Sequence, residues 1–189
     1  TSFRLAVVAV CQRREIDQMN RRLQEQVQKD PLTGLMNAAA FRHRVETHLI
    51  SAEAGSDTFL LILDLDNFKG INDAFGHPCG DYVLQETAIK LQALFPGAIG
   101  TARIGGDEFM LALADASQQE VEDRFRQFLL DLEQFSWRGH ALSVSCSMGA
   151  CRVGRPGSTY DKLYGAADHA LYQAKRLGKG RFICCELTT

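Results

Sequence analysis

Two short groups of acidic residues have the types and spacing to bind a metal ion. Asp64 and Asp66 end a continuous apolar run that begins at Thr58, and acids that end a buried strand lie at the rim of a sheet, within reach of a cation. Asp107 and Glu108 follow two glycines, which allow positive φ and let a bulky anion approach the backbone. If the two groups face each other on neighbouring strands, their oxygens suit Mg²⁺. Two Mg²⁺ ions about 4 Å apart can activate a hydroxyl and stabilise a leaving pyrophosphate. A surface hairpin with solvated acids would explain the same residues, so this pattern alone leaves both interpretations open.

The remaining pattern predicts the elements that must position these acids. Asp30-Pro31 breaks a preceding helix, because proline disfavours the α conformation at the residue before it. Apolar spacing then predicts helices at 37–52, 80–94, 118–135 and 159–176, and strands at 58–64, 101–104, 109–113, 142–153 and 181–187. The two strands around the glycines form a β-hairpin. The β-α-β-β-α-β order is ferredoxin-like. We therefore expect an α/β (α+β) sandwich with a central, mostly antiparallel sheet of about five strands flanked by helices.

Composition narrows the class of protein. The chain has 189 residues, of which 46% are hydrophobic and 23% charged, as in a soluble domain with a real core and a modest extension. The formal net charge is −2, so we expect no nucleic-acid partner, and an anionic ligand must be met by local cations and backbone groups. Six cysteines occur without C-x-x-C spacing. We expect free thiols in a reducing, cytoplasmic compartment.

The N-terminal 29 residues are predicted to be a separate linker or signalling segment, and residues 30–189 the main domain. The apolar run at 3–11 is much shorter than the ~20 residues that span a bilayer. It is either the last strand of an upstream sensor domain or the end of a membrane helix, so the full-length protein is expected to carry a sensor and could be membrane-anchored. Residues 12–29 are polar with a thin apolar stripe, which suits a helix in a short parallel coiled coil or a solvated linker helix.

Five segments carry recognisable motifs. They are Asp-Pro-Leu-Thr-Gly-Leu-Met-Asn (30–37), Leu-Asp-Leu-Asp-Asn-Phe-Lys-Gly-Ile-Asn-Asp (63–73), Gly-His-Pro-Cys-Gly-Asp (76–81), Arg-Ile-Gly-Gly-Asp-Glu-Phe (103–109) and Ala-Asp-His-Ala-Leu-Tyr-Gln-Ala-Lys (167–175). In this order they resemble the motifs of the GGDEF domain family of diguanylate cyclases, named after the signature at 105–109. The resemblance covers residues 30 to about 183. It implies a core similar to the palm of nucleotidyl cyclases, with the signature on a β-hairpin.

The resemblance implies a reaction and a metal set. Two GTP molecules are joined into cyclic di-GMP with release of two pyrophosphates, each 3′-hydroxyl attacking the α-phosphate of the other GTP across a homodimer. Asp64, the main-chain carbonyl of Leu65, Asp107 and Glu108 are the implied ligands of two Mg²⁺ ions per half-site, with Mn²⁺ as a substitute; Glu108 either helps to hold the second ion or lies close to it. Asp107, Glu108 and Lys175 are the implied catalytic residues. In the family, the acid at the position of Asp107 is also assigned as general base, but a carboxylate bound to Mg²⁺ is a poor base, which favours a metal-activated hydroxyl.

The same resemblance implies a guanine site at Asn72, His77 and Asp81. A carboxylate can accept the adjacent N1–H and N2–H₂ donors of guanine, and an Asn can donate and accept at other edge atoms. Adenine lacks that pair of donors, so GTP is expected over ATP. His77 either contacts the ligand or is a hydrogen-bonded loop histidine.

The triphosphate is implied to meet backbone N–H groups around Asn67 and Phe68 and the side chains of Lys69, Lys175 and Lys179. Lys175 and Lys179 are four residues apart at the end of a predicted helix, where one face would present both. Lysines in that position are also ordinary partners of the helix dipole.

The chain departs from the family pattern in three places. Many members have R-x-x-D where this chain has Pro-Gly-Ala-Ile at 96–99, so we expect no product inhibition through that site. Ala38 and Ala39 stand where two arginines are common, which puts regulation and local stability in doubt. Lys179 replaces a usual Arg and loses its bidentate fork, and Gly180 replaces a frequent Asn.

Two other functions compete with the active cyclase. One is a catalytically silent regulatory module that binds GTP or cyclic di-GMP, which the intact signature at 105–109 disfavours. The other is a cyclase that makes a mixed or different cyclic dinucleotide, which depends on base selection at Asn72 and Asp81.

Overall fold

The computed structural model describes residues 28–52, 57–154 and 158–187. Its helices are α1 (Ala38–Ser51), α2 (Phe68–Phe75), α3 (His77–Leu94), α4 (Gln118–Leu132) and α5 (Tyr160–Arg176). Its strands are β1 (Thr58–Asp66), β2 (Gly100–Gly105), β3 (Glu108–Ala114), β4 (Ser136–Trp137), β5 (His140–Ala141), β6 (Ser145–Val153) and β7 (Phe182–Glu186). Within these ranges, no helix has the length and apolar character needed to cross a membrane.

The main sheet has five strands in the order β2-β3-β1-β6-β7. The pairs β2–β3, β3–β1 and β1–β6 are antiparallel, and β6–β7 is parallel. The first four strands have the ferredoxin-like order, to which β7 is added as an edge strand. The predicted fold class is confirmed. Strands β4 and β5 form a separate small hairpin that the sequence pattern did not predict.

Strand β1 is buried on both faces, which explains its continuous apolar run. Its odd-numbered residues from Phe59 to Leu63 pack with α3 and α4, and Leu60 and Ile62 pack with α1 and α5. Because strand side chains alternate with a period of two, Asp64 and Asp66 continue the face covered by α5. Gly149 of β6 lets α5 approach closely, since a Cβ atom there would overlap with the backbone of that helix. The alternation thus directs the acids toward the helix that carries Lys175.

Several predicted boundaries were wrong by a few residues. Helix α3 begins at His77 instead of Gly80, because Pro78 is compatible with the first helical turn, where its missing N–H is not needed. Strand β1 continues to Asp66 through its pairing with β6. Helix α2 was not predicted. It follows Asn67, which has a left-handed φ of 58°.

The predicted N-terminal helix at 12–29 lies outside the described residues up to position 27. Gln28 is in a turn and Lys29 forms an antiparallel bridge with Met36. An extended, bridged residue cannot continue a helix, so the prediction that the helix reaches Lys29 is wrong. The coiled coil and the division at residue 29 stay predictions.

Candidate active site

The two acidic groups lie side by side in the sheet. Asp64 is the cross-strand partner of Glu108, the first residue of β3. The next backbone N–H of β1, that of Leu65, donates to the carbonyl of Asp107 at 3.2 Å. The glycine-acid turn between β2 and β3 is therefore bound to the end of β1, and the acids of both segments share one edge of the site.

A lysine from α5 meets this acidic group. The Nζ atom of Lys175 lies 2.8 Å from Oδ2 of Asp64, and the two side chains are 35% and 13% exposed. This short, partly sheltered ion pair places the end of α5 next to the end of β1. Lys175 thus places a positive charge on Asp64 and near Glu108.

Burial and neighbouring acids disfavour the negative charges of Asp64 and Glu108. Burial raises the pKa of Asp64; Lys175 opposes this rise, and Asp107 and Asp66 add to it. Burial likewise raises the pKa of Glu108, with a further contribution from the charge of Asp64. An added cation would relieve both effects. Since the side-chain donors are all carboxylate oxygens, the set fits a hard cation such as Mg²⁺.

In the described residues, no three His, Cys, Asp or Glu side chains are already arranged around a common metal position. Lys175 is the present partner of Asp64. The acids fit Mg²⁺ by donor chemistry and electrostatics, and the metal-ligand roles of Asp64, Leu65, Asp107 and Glu108 stay predictions.

The raised pKa of Glu108 predicts a stability change in Glu108→Gln. The folded protein holds this proton more tightly than the unfolded chain does. The free energy of unfolding therefore falls as pH rises from the ordinary pKa of 4.5 through the raised value. Glutamine removes that loss. In buffer without divalent cations, we expect Tm at pH 7 to rise, by no more than about 2 °C because the side chain is only partly buried.

Below about pH 4, where the carboxyl is protonated in both states, the difference between Glu108→Gln and wild type should shrink. Thermal melts at several pH values measure it, and the exposed Glu133→Gln is the matched control. A Tm gain that grows on acidification would contradict the assignment.

An arginine that the sequence pattern did not indicate holds the glycine-acid turn. Arg103 donates from Nε and Nη2 to the carbonyl of Gly106, at 3.0 and 2.7 Å. Its Nη1 lies 3.3 Å from both carboxylate oxygens of Asp30. Asp30 also accepts from the N–H and hydroxyl of Thr33. Burial acts to raise the pKa of Asp30, but these hydrogen bonds and the Arg103 charge lower it overall. Arg103 thereby connects Asp30, near the start of the described residues, to the glycine-acid turn.

The predicted guanine residues lie on two consecutive helices. Asn72 is on α2, and His77 and Asp81 are exposed residues one turn apart on α3. The helices meet at Gly76, whose φ is 83°. A Cβ atom at Gly80 would overlap with the Asn72 side-chain amide, so this glycine lets Asn72 lie directly against α3. The structure brings Asn72 next to the helix of Asp81, and the recognition roles stay predictions.

The predicted phosphate residues come from three segments. Asn67, Phe68 and Lys69 form the start of α2, where backbone N–H groups lack helical partners. Lys175 is in the last turn of α5, and Lys179 follows in the next loop with a left-handed φ of 63°. Lys69 and Lys179 are exposed. Lys69 and Lys179 can therefore turn toward an anion, whereas Lys175 is paired with Asp64.

A ferredoxin-like sheet whose central strand ends in acids beside a glycine-acid turn defines a palm-like core of the nucleotidyl-cyclase class. Within this class, the chain belongs to the GGDEF domain family. The family described as "Diguanylate cyclase, GGDEF domain" matches residues 27–181.

Known relatives agree with this membership. The chain is 38% identical over 166 residues to the diguanylate cyclase DgcP of Pseudomonas aeruginosa, covering 84% of this chain and 24% of that protein. It is 40% identical over 150 residues to the diguanylate cyclase DgcN of Escherichia coli, covering 77% of this chain and 36% of that protein. The chain thus spans only about a quarter to a third of these two relatives. Other relatives are named cyclic di-GMP phosphodiesterases.

A solved structure extends the similarity to the fold. The coiled coil and GGDEF domain of DgcB from Caulobacter crescentus, in complex with cyclic di-GMP, superposes with a TM-score of 0.87 at 26% identity. The match covers 96% of this chain and 97% of that one.

Proposed function

We propose that this chain is the catalytic domain of a diguanylate cyclase, which condenses two GTP into cyclic di-GMP and two pyrophosphates. The observation that carries the proposal is the group formed by Asp64, Glu108 and Lys175. Strand β1 sets Asp64 opposite Glu108, and α5 directs Lys175 to Asp64 at 2.8 Å. Carboxylates and a lysine at one sheet edge can neutralise and position a nucleoside triphosphate.

Mg²⁺ is the proposed cofactor, with Mn²⁺ as a substitute. Asp64, the carbonyl of Leu65, Asp107 and Glu108 would hold it. When bound, it supplies charge neutralisation of the phosphates and lowers the pKa of the attacking 3′-hydroxyl. Burial is the main cause of the raised pKa values of Asp64 and Glu108, with further contributions from neighbouring carboxylates. A bound cation would stabilise the ionised forms, which supports a cation-binding role.

The lysines and backbone groups are proposed to orient the triphosphate. Lys175 can exchange its ion pair with Asp64 for a phosphate oxygen, since its side chain is 35% exposed. The N–H groups at the start of α2, with Lys69, would bind the β- and γ-phosphates as a helix N-terminus binds anions. Lys179 would approach from the other side of the site. Negative charge that develops on the leaving pyrophosphate would thus be met by groups already in place.

Base selection is proposed to come from Asp81 and Asn72. The exposed carboxylate of Asp81 can accept the two adjacent donors of guanine, and the Asn72 amide can pair with another edge atom. His77, one turn from Asp81, would border the base. GTP is therefore the proposed substrate, and ATP would leave Asp81 without its donors.

Catalysis is proposed to need a homodimer. One domain offers one set of acids and one guanine site, whereas the product contains two phosphodiester bonds made from two GTP. Two domains facing each other with twofold symmetry would supply both halves. A coiled coil at residues 12–29 would raise the local concentration of the second domain. Because GTP is an intracellular nucleotide, we propose action in the cytoplasm under control of an upstream sensor.

Product analysis tests the proposed function. Concentrated protein is incubated with GTP and Mg²⁺, with GTP plus ATP, and beside an Asp107→Ala control, and the products are separated by chromatography. Cyclic di-GMP from the native protein alone would support the cyclase and the role of the turn. A mixed product in the presence of ATP would instead indicate a different cyclic dinucleotide.

The alternative is a catalytically silent module that binds GTP or cyclic di-GMP. In such a module the ion pair between Lys175 and Asp64 would remain in place of a bound cation. GTP binding without product, at protein concentrations that give a dimer, would support this alternative.

We also predict that the cyclase lacks feedback through the position of the family's R-x-x-D site. Residues 96–99 contain no charged side chain, so they cannot make the charge-assisted contacts that a cyclic dinucleotide needs. In initial-rate measurements, added cyclic di-GMP should compete with GTP only. Strong non-competitive inhibition would contradict this, and would direct attention to Lys29 and Arg44, which line a cavity of about 330 Å³ beside Pro96 and Ile99.

A further inference from the structure

The carboxylate of Asp66 lies between two segments that the proposed function assigns to the triphosphate. It ends β1 and directly precedes Asn67, the first residue of one segment. On its other side it accepts a hydrogen bond from the N–H of Gly180 at 3.0 Å, and Gly180 follows Lys179. The residue is only 9% exposed. A buried carboxylate with this placement can fix one phosphate-binding segment relative to the other.

Three donors satisfy Asp66. Oδ1 accepts from the hydroxyl of Ser147 at 2.8 Å, and Oδ2 accepts from the hydroxyl of Ser145 at 3.3 Å as well as from Gly180. Both serines belong to β6. Asp64, two residues earlier on the same face, instead faces Glu108 and Lys175. The two acids of the Asp-x-Asp pair thus have different partners, and those of Asp66 are strand β6 and the loop after α5.

The loop that Asp66 holds has an unusual backbone. Gly178, Lys179 and Gly180 have φ values of 113°, 63° and 56°. Glycine adopts this region readily, but a lysine there is strained, and such strain persists only where surrounding contacts determine it. The backbone N–H of Lys179 donates to the carbonyl of Ala174 at 3.1 Å, and its backbone carbonyl accepts from Nε of Arg181 at 3.1 Å. These two contacts are local, whereas the Asp66 bond connects the loop to the central strand.

We propose that Asp66 is a positioning residue: through Gly180 it fixes the strained loop so that Lys179 is directed to the triphosphate of bound GTP. This rests on the proposed function, in which Lys179 binds phosphate. Asp66 acts as a hydrogen-bond acceptor for the loop, and its negative charge is not what the reaction needs from it.

Two substitutions separate an acceptor role from a charge role. Asp66→Ala removes the acceptor of the Gly180 N–H. We expect faster amide hydrogen exchange at residues 178–181 and a rise in KM for GTP of about tenfold with a smaller change in kcat, as for a displaced binding group. Asp66→Asn keeps an oxygen for Gly180, and the Ser147 hydroxyl can rotate to accept from the new NH₂ group. Amide hydrogen exchange at residues 178–181 and KM for GTP should therefore be close to wild type in Asp66→Asn.

A double-mutant cycle tests whether the effect passes through Lys179. On a Lys179→Ala background, Asp66→Ala should raise KM by less than about twofold, because the group that it positions is gone. Asp64→Asn is the matched control at the neighbouring acid, and it should leave exchange at 178–181 unchanged. If Asp66→Ala does not fold, Asp66→Ser keeps a hydroxyl near Ser147 but is too short to replace the loop contact.

The outcomes are distinguishable. Unchanged exchange at 178–181 in Asp66→Ala would overturn the proposal, as would Asp66→Asn being as damaging as Asp66→Ala. Independent, multiplying effects of Asp66→Ala and Lys179→Ala would also overturn it. Failure of the proposed function would look different: wild-type protein would not convert GTP, while faster exchange in Asp66→Ala and its rescue by Asp66→Asn would still support the anchoring of the loop.

Discussion

Asp64→Asn is expected to lower cyclic di-GMP formation by about 10³-fold, the scale seen when one preorganised group that stabilises transition-state charge is lost. Asparagine keeps the shape of the side chain but has no negative charge. It can neither attract a divalent cation as a carboxylate does nor hold the Lys175 ammonium in an ion pair. Initial rates at saturating GTP and Mg²⁺ measure the loss.

The same variant should not be less stable. Burial, with neighbouring carboxylates, raises the pKa of Asp64 above 3.8. The negative charge of Asp64 therefore costs more free energy in the folded protein than in the unfolded chain, and removing the charge removes that cost. Lys175 loses its partner but is 35% exposed and can turn to solvent. In buffer without divalent cations, Tm should therefore stay equal or rise.

Asp131→Asn, on α4 and hydrogen-bonded to Gln127 at 2.9 Å, is the matched control and should keep full activity. Retention of more than about a tenth of wild-type activity by Asp64→Asn would remove this acid from the catalytic set. Loss of activity accompanied by unfolding would assign it a structural role instead.

How far the site could be predicted depends on how local its causes are. The acid-terminated strand was predictable because an apolar run that ends in Asp64 is a feature of adjacent residues. The hairpin was predictable because glycines mark its turn. The sequence could not predict that these two segments lie side by side, because the pairing of Asp64 with Glu108 depends on strand order and register.

The supporting contacts could not be read from the sequence pattern. Asp66 and Gly180 are separated by 114 residues, and Arg103 and Asp30 by 73. No periodicity relates such pairs. Helix α2 was missed for a different reason: it has only eight residues, contains Gly70 and starts after a left-handed Asn67, so its short apolar spacing resembles a loop.

Gly80→Ala is expected to lower kcat/KM for GTP by about 10- to 100-fold, the scale for a displaced positioning group. The new methyl group would overlap with the Asn72 amide and come within 3.1 Å of Phe68 Cζ. A side-chain amide is free to rotate, so the fold can absorb the overlap by moving Asn72 away from α3. The amide would then no longer face the base beside Asp81, and the preference for GTP over ATP should narrow.

Gly165→Ala is the matched control for this effect. Gly165 is also inside a helix, but a Cβ atom there meets nothing within 4 Å. It should leave kcat/KM unchanged and raise stability by about 1 kcal/mol through helix propensity. Gly80→Ala gains the same propensity, so its Tm should stay close to wild type while its activity falls. On an Asn72→Ala background the loss caused by Gly80→Ala should disappear, because the displaced group is already absent. If Gly80→Ala instead retains wild-type kcat/KM and the wild-type ratio of GTP to ATP, the position of Asn72 against α3 does not determine which base is bound, and selection would fall to Asp81.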